Sequence, residues 1–341
     1  LKASAIFLIA LIILSGCGKN DTAINKPDRN LVIYTAEPFM SKALWDDLNY
    51  FEARYNCKLV FKNFDDSWQA LEALKQEADS TEADVICGIN NALVQEAVER
   101  GLFVEYKSDN IKFIDSKFCF DKSYHFTPYA YGYLGLMYDS RYIVKPPQNY
   151  GELQDNHWDE TLIMPDPEKT GMGRAFLHLT ATQFGKNGFR YLWKGIKKNI
   201  SVYPLSYNDA YKRFLAGDGY LIPALTTMPV FHKYSRGDTQ YRVVVMEEGS
   251  FMLEEFAGIV KSTDKLLLAQ RFIDYLLTQD FQERICLRKW MYPLNRDVKL
   301  PPEFDDVVKV ASDNVIELTA SQVKKEESTW LKKLRSTLGR D

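Results

Sequence analysis

Short hydrophobic runs alternate with amphipathic helical stretches along most of the chain. Leu31-Val32-Ile33-Tyr34-Thr35, Lys58-Leu59-Val60-Phe61 and Val85-Ile86-Cys87-Gly88-Ile89 read as strands, the first of the kind found at the centre of a parallel sheet. Between them, Ser41 can cap a helix with Leu44, Leu48, Phe51 and Tyr55 on one face, and Ser67 starts another through Leu71 and Leu74. Asn90-Asn91 leads into a third helix, which Gly101 ends. This alternation predicts an α/β fold with a parallel sheet covered on both faces, whose ligands bind beyond the carboxyl ends of the strands. Glu37, Phe39, Asn90 and Asn91 occupy such ends. An asparagine pair alone would serve equally as a helix cap.

Phe126 to Asp139 is a longer strand, in which Tyr129, Tyr131 and Tyr133 recur with period two. Gly132 and Gly135 would weaken a strand interior, so they mark a bend or a close approach to the backbone. With strand–helix alternations on either side, this segment is expected to cross between two lobes and to span a ligand cleft. The plainer alternative is an aromatic edge strand within one domain.

Beyond it, Thr161–Met164 is a buried strand running into the turn Pro165–Arg174. A helix from Arg174 to Phe184 follows, stopped by Gly185. Thr170 and Gly171 just before that helix leave backbone N–H groups unpaired where the helix dipole is positive, an arrangement that suits a phosphate or a simple cap. Ser206 opens a helix ending near Gly217, and Tyr220–Pro229 resembles a return strand to the first lobe. Strands follow at Arg242–Met246 and Glu255–Val260. Thr263 caps a helix carrying Leu267 to Leu277, and Thr319-x-x-Gln322 forms a capping box for a charged C-terminal helix.

With 341 residues the chain has room for two domains of roughly 150 residues. A net charge of −3 gives no nucleic-acid footprint. The apolar run Ala5–Leu14 after Lys2 is too short to span a bilayer, which takes about 20 residues, and has the proportions of a signal peptide. Leu14-Ser15-Gly16-Cys17 resembles a bacterial lipoprotein box, with Cys17 as the lipidated first mature residue. The alternative is a plain secretory signal with an incidental cysteine. Removing residues 1–16 takes away one charged residue, Lys2, and brings the net charge to −4. Residues 17–30 then read as a flexible tether. Cys57, Cys87, Cys119 and Cys286 fit no zinc spacing, and Cys87 reads as a buried free thiol.

The histidines are scattered, and the chain has no nucleophile elbow and no Walker loop; no metal or cofactor is expected. The adjacent carboxylates Asp65-Asp66, Glu247-Glu248 and Glu254-Glu255 read as solvated surface. A binding protein is favoured over an enzyme. A lipoprotein hydrolase, which would need a nucleophile or metal, is the rival from another class.

Several motifs in order resemble the thiamine-binding branch of the extracytoplasmic solute-binding proteins of ABC importers. They are Ala83-Asp84-Val85 to Gly88, Tyr131-Gly132-Tyr133 with Tyr138-Asp139, Pro146-Pro147-Gln148, Asp209-Ala210-Tyr211, Thr226-Thr227 with Pro229, Glu248-Gly249, Ala269-Gln270-Arg271-Phe272, and Trp290-Met291-Tyr292-Pro293 with Leu300-Pro301-Pro302. The resemblance runs from about Leu31 to Leu334. It implies the type II periplasmic-binding fold: two lobes, each a mixed sheet flanked by helices, joined by crossing strands. Lobe 1 is expected at 31–128 and 230–285, and lobe 2 at 129–229 and 286–341. Together with the lipoprotein box it implies a lipid-anchored monomer at the cell envelope, a permease with its ATPase as partners, and thiamine, a thiamine phosphate or a related heteroaromatic or phosphorylated small solute as ligand. Glu37, Asn90, Tyr131, Thr170, Gly171, Tyr207, Thr226, Trp290 and Tyr292 are the expected ligand contacts. Trp290 and Tyr292 would stack on a cationic thiazolium, with Tyr207 where the family has Trp; a core role is the alternative for Trp290. Departures fall at Ala36 and Leu225, where the family has aromatics, and at Asn90 and Ala130, where it has Asp. Glu37 or Glu254 is the candidate to restore the missing negative charge. Ferric-ion binding proteins share this fold, but they hold iron through adjacent tyrosines, and this chain has no Tyr-Tyr pair.

Overall fold

The computed structural model describes residues 29–36, 48–118 and 120–340. The signal segment, Cys17, Glu37, Phe39, Ser41 and Cys119 lie outside them. From the N-terminus come β1 (Asn30–Ala36), α1 (Asn49–Tyr55), β2 (Lys58–Phe64), α2 (Ser67–Glu77), β3 (Val85–Asn90), α3 (Asn91–Glu99), β4 (Phe103–Val104) and the long β5 (Thr127–Asp139). Then follow β6 (Leu162–Ile163), α4 (Gly171–Ile196), β7 (Ile200–Val202), α5 (Tyr207–Ala216), β8 (Leu221–Leu225), α6 (Met228–Phe231), β9 (Tyr241–Val244) and β10 (Ser250–Val260). The chain closes with α7 (Leu266–Leu276), α8 (Gln279–Arg288), β11 (Tyr292–Pro293), β12 (Val315–Ile316) and α9 (Ala320–Leu338).

The strands join in the order β2-β1-β3-β10-β5-β8-β6-β7. β1 pairs in parallel with β2 and β3, and every residue of β3 is buried, as its unbroken apolar run requires of a strand covered on both faces. β2 lies at the edge, and none of its residues is fully buried. The second lobe repeats the scheme, with β6 parallel to β7 and β8.

β5 is the spine between the lobes. Its first half pairs with β10 and β11, and its second half with β8 and β9. β10 is longer than the Glu255–Val260 run suggested, and it returns to the first lobe alongside β3; Tyr220–Pro229 instead pairs with the far half of β5 and turns into α6. The two glycines of β5 are accounted for. A Cβ on Gly135 would lie 2.7 Å from Val243 Cγ2 and 2.9 Å from the Val244 carbonyl oxygen, and one on Gly132 would press on Leu225 at 3.1 Å.

Two helices begin elsewhere than their patterns indicated. α4 starts at Gly171 and continues past Gly185, whose φ of 64° and ψ of −171° break it into two segments. α7 starts after Lys265, because the Thr263 hydroxyl is turned toward Asp84 and the Lys265 N–H. The Thr319 capping box forms as its sequence specifies.

Candidate functional site

Residues directly opposite in an antiparallel pair send their side chains to one face of the sheet. Glu254 and Tyr292 both lie opposite Tyr131, and Met252 lies opposite Tyr133. The result is an aromatic group on the crossing strand. Tyr131 stacks on Tyr292 with ring centres 5.1 Å apart, and Tyr133 meets them edge-on at 5.8 and 6.1 Å. Phe118 closes one side, 4.7 Å from Tyr131. Burial pushes the phenols of Tyr131, Tyr133 and Tyr292 up, the last to about 12, so near neutral pH they present uncharged rings and hydroxyls. Thr226 joins this row: its N–H donates to the Tyr133 carbonyl at 2.8 Å.

Several polar atoms at this end of the sheet are buried without a hydrogen-bond partner among the described residues. They are Thr35 Oγ1, Asn91 Oδ1, Thr226 Oγ1, Thr227 Oγ1 and Glu254 Oε1. Each such group costs about 1–3 kcal/mol and is uncommon in native proteins. Asn91 reaches the same strand, its Nδ2 donating to the Met252 carbonyl at 2.9 Å, two residues before Glu254. Glu254 is 1 % exposed, and desolvation holds its carboxyl well above the usual carboxylate range, with Lys122 opposing the shift.

A second cluster joins the lobes. Asp66 is 1 % exposed and accepts three backbone N–H groups, from Trp68 and Gly171 at 2.9 Å each and from Tyr207 at 3.0 Å. Gly171 and Tyr207 are the first residues of α4 and α5, so the positive ends of two second-lobe helices converge on one first-lobe carboxylate. Desolvation raises the Asp66 pKa to about 6 against the pull of those hydrogen bonds. The neighbouring contacts are interlobe too. Asn208 Nδ2 donates to Asp65 at 2.6 Å, Gln69 to the Leu205 carbonyl at 3.3 Å, and the Lys169 ammonium lies 4.4 Å over the Trp68 ring. The reading of Asp65-Asp66 and Glu254-Glu255 as solvated surface is therefore corrected for Asp66, Glu254 and Glu255, all buried. Each sits where chain distant in sequence covers it.

The expected contacts divide between these two clusters. Tyr131, Tyr292 and Thr226 belong to the first. Asn90, Gly171 and Tyr207 belong to the second: Asn90 Oδ1 caps α3 through the Ala92 N–H at 3.1 Å, and its Nδ2 lies 2.7 Å from where a Cβ on Gly171 would stand. Thr170 caps α4, accepting from Gly173 at 3.0 Å and donating to the Asp166 carbonyl at 2.8 Å, so its hydroxyl is fully engaged. The Gly171 N–H offered to a phosphate is held by Asp66. Trp290 adopts φ 56°, a left-handed conformation rare for a bulky residue. Its ring lies parallel to Phe304 and Tyr234, each 6.5 Å away, with Phe231 at 6.1 Å. Glu37 lies outside the described residues. Asp66 had a readable signal, since it directly precedes the Ser67 helix start and caps it. Glu254 sits inside a strand whose first half the apolar pattern left unread.

Gly171 has no room for a side chain at the lobe interface: an alanine Cβ would meet Asn90 Nδ2 at 2.7 Å and Ser67 Oγ closer still. Gly171→Ala is expected to cost about 1–3 kcal/mol of lobe closure. Small-angle scattering should show a larger radius of gyration than wild type, and an unchanged radius would contradict the tight contact.

Two lobes of mixed sheet, joined by long antiparallel strands, constitute the type II periplasmic-binding fold. The chain belongs to the bacterial extracellular solute-binding protein family, whose match spans residues 80–316. It is 28% identical to the thiamine-binding periplasmic protein of Escherichia coli (strain K12) over 292 residues, covering 85% of this chain and 87% of that one. It is 27% identical to the thiamine-binding periplasmic protein of Brucella abortus over 308 residues, 88% and 90% of the two chains. A solved periplasmic thiamin binding protein superposes with a TM-score of 0.82 at 25% identity, covering 91% of this chain and 96% of that one. Among the described residues no helix is long and apolar enough to cross a membrane. These relatives support a solute-binding role.

Proposed function

We propose that the chain is the substrate-capturing component of an ABC importer, held at the cell envelope by a lipid on Cys17. It takes thiamine or a thiamine phosphate into the interlobe cleft and delivers it to the permease, performing no chemistry. The observation that carries this reading is the aromatic face of Tyr131, Tyr133 and Tyr292 on the strands that cross between the lobes. A cationic thiazolium over such a face gains about 0.5–2 kcal/mol by cation–π attraction. The partnerless hydroxyls of Thr226 and Thr227 supply polar contacts beside it. The relatives whose names specify thiamine support the ligand. A phosphate tail would reach the α4 start only by displacing Asp66.

Calorimetric titration with thiamine, its monophosphate and its diphosphate tests the reading. One-to-one binding at micromolar affinity or tighter, with a change in tryptophan fluorescence as the lobes close, is expected. Flat traces for all three would remove the ligand while leaving the transport role. Trp290→Ala should weaken binding by more than ~1 kcal/mol if the ring reaches the ligand. Unchanged affinity with a lowered melting temperature would make Trp290 part of the Phe231, Tyr234 and Phe304 cluster alone.

A further inference from the structure

Glu254 is a buried carboxyl that the fold leaves without an obvious partner. Its neighbour Glu255 points to the opposite face of β10 and is satisfied there by Lys289 at 2.9 Å and the Tyr129 hydroxyl at 2.7 Å. Glu254 has neither, and its Oε1 is without a hydrogen-bond partner among the described residues. The groups on its side are Tyr131 and Tyr133 from β5 and Tyr292 from β11; Asn91 at the start of α3 bonds β10 at the Met252 carbonyl, and Lys122 is the cation acting on Glu254. A carboxyl in such a place costs free energy in every state of the protein that does not give it a partner.

We propose that Glu254 sets the specificity of the cleft by taking the cationic nitrogen group of the solute onto its unpaired carboxylate oxygen, with the three tyrosines covering the charge. The inference deepens the reading above and rests on it for thiamine as the first probe. Its chemistry balances as an exchange. Desolvation favours the protonated carboxyl in the free protein; as the cation arrives, the proton leaves for the buffer and the ligand's positive charge replaces it. A neutral or anionic solute gains nothing from this group.

The test is titration calorimetry of thiamine at pH 7 in two buffers of different ionisation heat, for wild type and Glu254→Gln. Wild type is expected to release more protons per ligand than E254Q, and E254Q to bind at least tenfold more weakly. The free E254Q protein should melt no lower than wild type. Glu254→Met, which keeps the length without the charge, repeats the comparison if E254Q does not fold. Equal affinity and equal proton release in wild type and variant would overturn the proposal. The two readings separate when the titrations are repeated with choline and with tetramethylammonium, which carry a permanent positive charge without the thiamine rings. If wild type ignores thiamine but binds either one with the same loss in E254Q, the thiamine reading falls and the role of Glu254 stands. If none of the three binds, the role of Glu254 falls as well.

Discussion

Lys289→Met is expected to lower the unfolding free energy by about 3–5 kcal/mol, the cost of leaving a buried charge unpaired. Lys289 is 1 % exposed, and its ammonium lies 2.9 Å from Glu255 Oε2, an oxygen that also accepts from the Tyr129 hydroxyl at 2.7 Å. Glu255 stands opposite Asn90 of β3 on one side of β10 and opposite Ala130 of β5 on the other. The pair therefore sits where the first-lobe sheet meets the crossing strand, too far from water for solvent to replace the ammonium. Denaturant unfolding measures the loss. Adding Glu255→Gln to Lys289→Met should recover most of it, because the charge that had to be compensated is then gone. A loss below 1 kcal/mol in the single variant would show that water reaches the site.

Asp66→Ala is expected to free the lobes from each other. The substitution removes the acceptor of the Gly171 and Tyr207 N–H groups, at about 1–3 kcal/mol for each donor left buried and unpaired. At pH 5 the variant should scatter as an open form and bind thiamine at least tenfold more weakly. The contribution of Asp66 to stability depends on pH in a definite direction. Its folded pKa of about 6 is raised from the ordinary 3.8, so its contribution is fully present below the ordinary value and is lost as pH rises through 6. The stability advantage of wild type over Asp66→Ala should accordingly shrink between pH 4 and pH 7, by an amount of the order of 3 kcal/mol. Melting curves of the two proteins across that range check it. A constant difference would mean that the carboxyl is solvated and the lobes do not close on it.

The elements legible in the sequence share a physical character. β1, β3 and β5 appear as apolar runs because each is covered on both faces, and the Thr319 box and the Gly217 cap appear because a helix end is satisfied within a few residues. Tyr131 and Tyr133 could be placed on one face of β5 from period two alone. What escaped was the first half of β10. Glu254 and Glu255 interrupt its hydrophobic pattern, and they are tolerated there only because of what lies against them. Asp66 escaped for the same reason, since two of its three donors are 105 and 141 residues away in sequence.

The sequence by itself determined the strand–helix order, the crossing strand with its tyrosines, the Thr319 capping box and the membership suggested by the ordered motifs. Each of these depends on periodicity or on groups within one turn of chain. Only the tertiary structure decided which acidic residues are buried, that Asp66 holds the N-termini of α4 and α5 together, and that Glu254 shares a face with Tyr131 and Tyr292. The reason is that a carboxylate's charge, exposure and partners are set by the register of β10 against β3 and β5 and by the meeting of two lobes. Neither of these leaves a local trace in the order of the residues.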